Sequence, residues 1–419
     1  MSADALLPFG PKVLKRITTT DALQFYEGPV RSGKTQASLL SLLFYIATND
    51  VRVGIISGNT VGSVIRNVVK SRFGLLDLCP GAKSVIRDNT NQIIIPTDRG
   101  EVTLYVFGGG KANSDDQLRG ITAEFWYADE ITKHHLTFIG EAMARLAASD
   151  HPFMLWTANP DNPHIEFYKQ YTDKFLRMTP EEKERFGGYH EFHFALDDNP
   201  IMTPDKIEAL KLRYTGYEFE RKILGHRCVA EGLVYPNVSE ASFVDFDVSD
   251  VDVRYCAIDF GATHPTVMVF GGFFKGNRRD WRIAAEYFDE ASGKTTYDHY
   301  CGFLDVCRRI GADPNRIRIA IDPAARTLRD EFAKHGLHPV KAANDVLPGI
   351  EFTRRMIASG MLLFHASLTG ILGEFRTYSW DSKASESGLD KPVKLGDDRM
   401  DAVRYLVYTF ARPIVRMIP

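Results

Sequence analysis

Residues 28–35 read GPVRSGKT, which fits the phosphate-cradle pattern G-x-x-x-x-G-K-[ST]. In such a loop Gly28 and Gly33 let backbone N–H groups close around phosphate. Lys34 reaches the β- and γ-phosphates and the Thr35 hydroxyl holds Mg²⁺. The eight positions Gly28, Pro29, Val30, Arg31, Ser32, Gly33, Lys34 and Thr35 are therefore the expected ATP cradle. The pattern needs a strand before it and a helix after it. LQFYEG precedes it and the apolar run ASLLSLLFYIAT (37–48) follows. That run is too short for a membrane span, which takes about 20 residues, and suits a buried helix.

Working outward, β-rich runs alternate with helical stretches from residue 23 to about 160. The candidate strands are LQFYEG, VRVGIIS, EVTLYVFGG, AEFWYADE and PFMLWTANP. The alternation predicts an α/β domain with a mostly parallel sheet. FWYADE ends an apolar strand in Asp129 and Glu130. Asp129 is expected to support the Mg²⁺ shell and Glu130 to polarise the attacking water; alternatively two acids simply end a strand at the surface. Arg31 lies within the loop, where a guanidinium can neutralise transition-state charge. Arg119, in DDQLRG, reads from spacing alone as a surface arginine or as a residue serving a neighbouring subunit's nucleotide. Thr157 and Asn159, in TANPDNP, read as a γ-phosphate sensor or as a Pro-rich turn.

The chain has 419 residues, 44% hydrophobic and 25% charged, with a formal charge of −3. At about 150 residues per domain this predicts two or three globular domains. The balance is not that of a disordered or fibrous chain, and a basic total is not required for a local nucleic-acid surface. Five scattered cysteines without C-x-x-C argue against structural zinc or a disulfide framework and for a reduced, cytosolic setting. MSADALLPFGPK, at the N-terminus, shows no signal-peptide pattern.

The character changes near residues 197–250. The expected boundaries are 1–227, with a helical linker segment at about 200–227, then a connection over 228–252, then 253–419. In the last part, RYCAIDFG puts Asp259 in an apolar strand, where a carboxylate is costly without a partner. IRIAIDPAAR ends a second strand at Asp322. GDDRMDAVRYLVYTF puts Asp398 and Asp401 on one side of a helix start, with Val403, Leu406 and Val407 facing the core. Separately these acids read as structural. Converging, they would make a carboxylate cage for Mg²⁺ or Mn²⁺, and two such ions suit phosphodiester cleavage.

The order GPVRSGKT, LRGITAEFWYADE, TANP, DNP (198–200), GLVYPN, DFGATHPT, IDPAAR, NDVLPGIEFTRRMI and DDRMDAVRY resembles the large terminase subunit of tailed bacteriophages, over roughly residues 20–410. The resemblance implies an N-terminal P-loop ATPase of the additional-strand class and a C-terminal ribonuclease H-like nuclease with a mixed sheet. It implies ATP-driven translocation of double-stranded DNA into a procapsid, and metal-dependent cutting of concatemeric DNA. Lys34, Thr35, Asp129 and Glu130 match the ATPase positions, and Asp259, Asp322 and Asp401 the nuclease metal ligands. Arg31 matches a loop arginine, and Arg119 the place of a trans-acting finger. Relatives often carry His where Asp398 stands; an aspartate can ligate metal there but supplies no imidazole. The family's adenine-contacting segment has its nearest candidate around Gln24.

Implied partners are a small terminase subunit and the procapsid portal. The expected assembly is a ring, five subunits when packaging and monomeric alone. The implied setting is the host cytoplasm, transiently on the procapsid and not in the mature virion, with no membrane. The alternatives are a P-loop translocase or helicase without nuclease activity, or a nucleotide-binding capsid-assembly component.

Overall fold

The computed structural model describes residues 9–87, 90–261, 264–290 and 293–417. Ala262 and Thr263 of DFGATHPT, and the first eight residues, in which no signal peptide is read, lie outside them. The chain forms two compact units, residues 1–229 and 230–419, so the stretch from 230 to 252 groups with the second.

The first unit is built on strands β1 (Leu23–Glu27), β2 (Val53–Gly58), β3 (Lys83–Arg87), β4 (Thr90–Thr97), β5 (Gly100–Gly108), β6 (Phe125–Ala128), β7 (Phe153–Ala158) and β8 (Tyr189–His193). Their order is β3-β4-β5-β2-β6-β7-β1-β8. The run from β5 to β8 is parallel throughout, and β3–β4 is an antiparallel hairpin added beside β5. Strand β7 lies between the strand that carries the phosphate loop and the strand that ends in Asp129. This is the additional-strand P-loop arrangement. Alternation along the strands sends Phe25, Ile55, Trp126 and Trp156 into one core and Tyr26, Ile56, Tyr127 and Leu155 into another, as the period of two requires. Each such large side chain contributes about 1.5–3 kcal/mol by leaving water. The apolar run after the loop forms the helix Lys34–Thr48, with Leu39, Leu42 and Ile46 buried.

The second unit has a seven-stranded sheet of order β14-β13-β10-β11-β12-β15-β9. Its strands are β9 (Phe243–Val244), β10 (Val251–Asp259), β11 (Thr266–Phe274), β12 (Asn277–Asp289), β13 (Arg318–Ile321), β14 (Val340–Lys341) and β15 (Leu362–His365). β10, β11 and β12 are antiparallel neighbours, while β13 and β14 continue from β10 in parallel. This mixed pattern is the ribonuclease H-like fold. Cys256, Ile258, Phe270 and Ile321 pack with Phe303 and Phe332 from the helices Thr296–Arg309 and Arg326–Lys334. The helix Asp398–Leu406 packs on β10, β11 and β13, burying Val403 and Leu406, and a π turn over Val407–Ala411 continues it.

Among the described residues no helix is long and apolar enough to cross a membrane. All five cysteines are free thiols.

Candidate functional site

Three adjacent parallel strands, β6, β7 and β1, end on the same edge of the first sheet. That edge carries Asp129 and Glu130, then Thr157 and Asn159, then Gly28–Thr35. The loop is shaped before any ligand arrives. A Cβ on Gly28 would meet the Phe194 carbonyl oxygen at 2.4 Å, and Gly33 stands at φ +84°, a conformation that favours glycine. Arg31 is also left-handed, at φ 71°, and its carbonyl accepts from Asn199 Nδ2 at 2.7 Å. This gives the DNP segment a role in shaping the loop. The Ser32 hydroxyl is fully buried and has no hydrogen-bond partner among the described residues, as suits a cradle that takes a polar ligand.

Lys34 is buried. Its ammonium donates to Asn159 Oδ1 at 2.7 Å and to the Pro29 carbonyl at 3.1 Å. Burial lowers its pKa to about 8, opposed by Asp129, Glu130 and Glu27. Asp129 is also buried. Desolvation raises its pKa to about 6, against the bond that the Thr157 hydroxyl donates to it at 2.9 Å. Thr157 accepts in turn from the Glu130 N–H at 3.2 Å. Glu130 sits at φ 54°, a costly conformation for a non-glycine residue. His134 buttresses this turn: its Nδ1 lies 3.3 Å from the Glu130 carbonyl and its Nε2 2.9 Å from Ser57 Oγ. Ser57 also accepts from the Trp126 indole at 2.8 Å.

Beneath the loop, Glu27 accepts from the Tyr168 hydroxyl at 2.5 Å and from Arg227 Nε at 2.7 Å. Arg227 also pairs with Glu191 and lies over the Tyr168 ring. Asp161, just past Asn159, pairs with Lys133 at 2.6 Å and Arg221 at 3.4 Å. Sequence reasoning found none of this network, because its members are far apart in the chain.

Arg119 stands apart from these groups. Its side chain is 70% exposed and pairs with Asp116 at 2.9 Å. Gln24, the nearest adenine-contact candidate, is a correction: it is fully buried within β1. Its amide donates to the Thr19 carbonyl at 2.6 Å and its oxygen accepts from Tyr26, which leaves it no edge for a base.

In the second unit, β10 ends at Asp259 and its parallel neighbour β13 ends just before Asp322, whose N–H donates to the Ile258 carbonyl. With the helix start lying over these strands, Asp259, Asp322, Asp398 and Asp401 line one cavity of about 630 Å³. Burial first, then the charges of Asp401, Asp322 and Asp398, raise the Asp259 pKa to about 8. An all-oxygen donor set that repels its own charge fits a hard divalent cation. Among the described residues, however, no three acids or histidines already stand as a finished metal cage.

The acids already have side-chain partners. Asp401 accepts from Lys394 and from Arg404, both at 2.8 Å, and Asp322 accepts from the Tyr405 hydroxyl at 2.9 Å. Asp397 is in the same cavity and pairs with Lys394. Asp398 meets His264 Nδ1 at 3.0 Å. An imidazole thus does reach position 398, from the start of β11 rather than from the helix.

The family model described as terminase large subunit, T4likevirus-type, N-terminal, matches residues 25–241. A large terminase subunit of Escherichia phage T5 is 23% identical over 232 residues, covering 52% of this chain and 51% of its own. The chain thus spans about half the length of that curated relative. The large terminase of a thermophilic bacteriophage superposes with a TM-score of 0.80 at 26% identity, covering 96% of this chain and 99% of that one. Its complex with ADP gives 0.77 at 26%, with the same coverage. With the matched residues running from β1 past the whole phosphate-loop edge, this chain belongs to the large terminase subunit family of bacteriophages.

Proposed function

We propose that the chain is an ATP-driven motor that moves double-stranded DNA into a procapsid and cuts the concatemer with a metal-dependent nuclease. The observation that carries this reading is the presence, in one chain, of a pre-shaped phosphate loop beside Asp129 and Glu130, and of four aspartates lining a separate cavity. The ADP complex of the thermophilic phage relative supports a nucleotide as the first unit's ligand.

In the first unit, the backbone N–H groups of the Gly28–Thr35 loop, of which Pro29 has none, hold the phosphates. Lys34 exchanges its contacts to Asn159 and Pro29 for phosphate oxygens, and Thr35 and Asp129 would hold Mg²⁺. Glu130 orients and deprotonates the attacking water. Asn159, freed of Lys34, is placed to follow the γ-phosphate, and Thr157 ties that strand end to both acids. Arg31, inside the loop, serves its own site. Arg119, exposed, serves a neighbour's in a ring of five on the portal.

In the second unit, Asp259, Asp322 and Asp401, with Asp398 beside them, would hold Mg²⁺ or Mn²⁺. Bound there, a pair of such ions activates water and stabilises the leaving oxygen. DNA contact is mainly to phosphates and so weakens steeply with salt. Site choice then falls to a small terminase subunit, in the host cytoplasm.

The test is Mn²⁺-dependent cleavage of plasmid DNA. Asp259→Ala abolishes cutting and leaves ATP turnover, whereas Lys34→Ala abolishes turnover and leaves cutting. Absence of cutting with any divalent ion would leave a translocase without nuclease activity. That second reading draws on Asp401, whose oxygens are both already paired with cations.

A further inference from the structure

The carboxylate cavity contains cations of its own, and the two of them differ. Arg404 is 2% exposed. It donates to Asp401 Oδ1 at 2.8 Å and to the Asn344 carbonyl at 3.0 Å, and its guanidinium lies over the Tyr405 ring. It is fixed by the helix that carries both residues. Lys394 takes the other oxygen, Oδ2, at 2.8 Å and also meets Asp397 at 2.8 Å, yet its side chain is 58% exposed. It sits between the helices Ser382–Glu386 and Asp398–Leu406, next to Leu395 at 85% exposure and Gly396 at φ +61°. Little packing holds it in place.

Each Asp401 oxygen is thus paired with a cation while Lys394 is seated, and that positive charge opposes the approach of a metal ion. Asp322 is less constrained. One of its oxygens takes the Tyr405 hydroxyl and the other the Ala324 N–H at 2.6 Å, neutral donors beside which a carboxylate keeps lone pairs for a cation. Of the two cations on Asp401, Lys394 is the exposed one.

We propose that Lys394 is a resident, displaceable counter-ion of this cavity, holding the Asp401 oxygen that a divalent ion must take, so that metal binding and Lys394 release are one exchange. This rests on the nuclease reading above. An ion pair to a half-exposed lysine is weak enough to be exchanged, whereas the buried Arg404 pair is not, and it stays to orient Asp401. The released ammonium is left at the cavity mouth, where its three N–H donors suit a DNA phosphate. Phosphate and metal then favour each other's binding, since each stabilises the state with Lys394 displaced. The chain's own lysine offsets part of the cavity's negative charge until both arrive.

The test is calorimetric titration of the full chain with MnCl₂ and no nucleotide, so that the first unit's Mg²⁺ position lacks its phosphate ligands. Lys394→Met keeps the stem and removes the charge. It should tighten the Mn²⁺ dissociation constant by about fivefold, the ratio set by a weak exposed ion pair. With plasmid DNA present the shift in half-maximal Mn²⁺ should be smaller, because DNA phosphate already draws Lys394 from Asp401 in the wild type. Lys391→Met, the same charge change on the same segment, should shift the constant by less than about twofold, as an exposed and screened charge does. Equal or weaker Mn²⁺ binding by Lys394→Met, or an equal gain from Lys391→Met, overturns the proposal. Asp401→Asn separates the two ideas. It should lose the Mn²⁺ site, and if it binds as the wild type does, the nuclease reading falls and takes the role of Lys394 with it. Loss in Asp401→Asn with no gain in Lys394→Met removes only Lys394.

Discussion

Each unit keeps a lysine at its candidate site, and the two lysines are held in opposite ways. Lys34 is buried and donates to neutral acceptors, Asn159 and the Pro29 carbonyl. Lys394 is half in solvent and pairs with two carboxylates. On the proposed function, the difference follows from the ligand. A site for a polyanion keeps its cation desolvated and weakly satisfied, ready to trade for phosphate. A site for a cation has converging carboxylates, which repel one another until something positive joins them. On that reading the first site is nearly complete as it stands, while in the second Lys394 occupies part of a cation's place.

The sharpest way to break the contrast is at Glu130. If the first site is complete, Glu130→Gln keeps its shape and removes only the base. ATP turnover should fall by about 10²–10⁴-fold, with nucleotide affinity within about threefold of wild type since no phosphate contact is lost. Single-turnover phosphate release and a nucleotide titration measure the two. Loss of nucleotide binding would instead mean that Glu130 holds the loop together.

The next effect tests the built-in against the displaceable cation. Arg404→Met leaves a buried Asp401 charge without its fixed partner, and should destabilise the chain by about 3–5 kcal/mol. Lys394→Met should cost less than about 1 kcal/mol. Denaturant unfolding measures both. Asp401→Asn added to Arg404→Met should recover much of the loss, because the uncompensated charge is then gone. Equal costs for the two single variants would erase the distinction between these cations.

A smaller effect is expected at Thr157, whose hydroxyl joins Asp129 to the Glu130 N–H. Thr157→Val keeps the shape and deletes both bonds. At about 1–3 kcal/mol for buried partners left unsatisfied, turnover should drop roughly tenfold to a hundredfold while plasmid cleavage in the second unit is unchanged. A parallel loss of cleavage would show that the variant disturbs more than the first site.

These residues also show what the sequence makes legible. GPVRSGKT spans one strand end and one helix start, so its chemistry is local and its geometry follows from its own glycines. Asp129 and Glu130 are adjacent for the same reason, and the apolar strands beneath them are marked by buried aromatics. In the first sheet, the strands not foreseen are β3, β4 and β8. β3 and β8 are the two edges of the sheet, with largely exposed or half-exposed side chains, and β4 joins β3 in the added hairpin. Glu27–Arg227, Asp161–Arg221 and Asp398–His264 are pairings across long sequence distances, which periodicity does not encode. Lys394 belongs to none of the motifs read from the sequence. Gln24 misled because its neighbours in β1 are all buried, so a polar residue there is satisfied internally instead of facing a ligand.

The smallest effect concerns the buttress under Glu130. Burial holds the His134 pKa down to about 4, against about 6.5 in an unfolded chain. The folded value is the lower one, so the unfolded chain binds the proton first. The contribution of neutral His134 is complete above pH 6.5 and is lost as pH falls from about 6.5 toward about 4. At pH 5.5 the loss amounts to roughly 1 kcal/mol. His134→Gln can still bond to Ser57 and cannot titrate. It should start less stable at pH 7.5, through lost packing against Trp126 and Phe138, and then show a shallower decline between pH 7 and 5. Urea unfolding midpoints of the two proteins across that interval measure the difference in slope. Parallel declines would mean that His134 is protonated in the folded chain, and the bond it makes to the Glu130 carbonyl would then have to be read as that of an imidazolium.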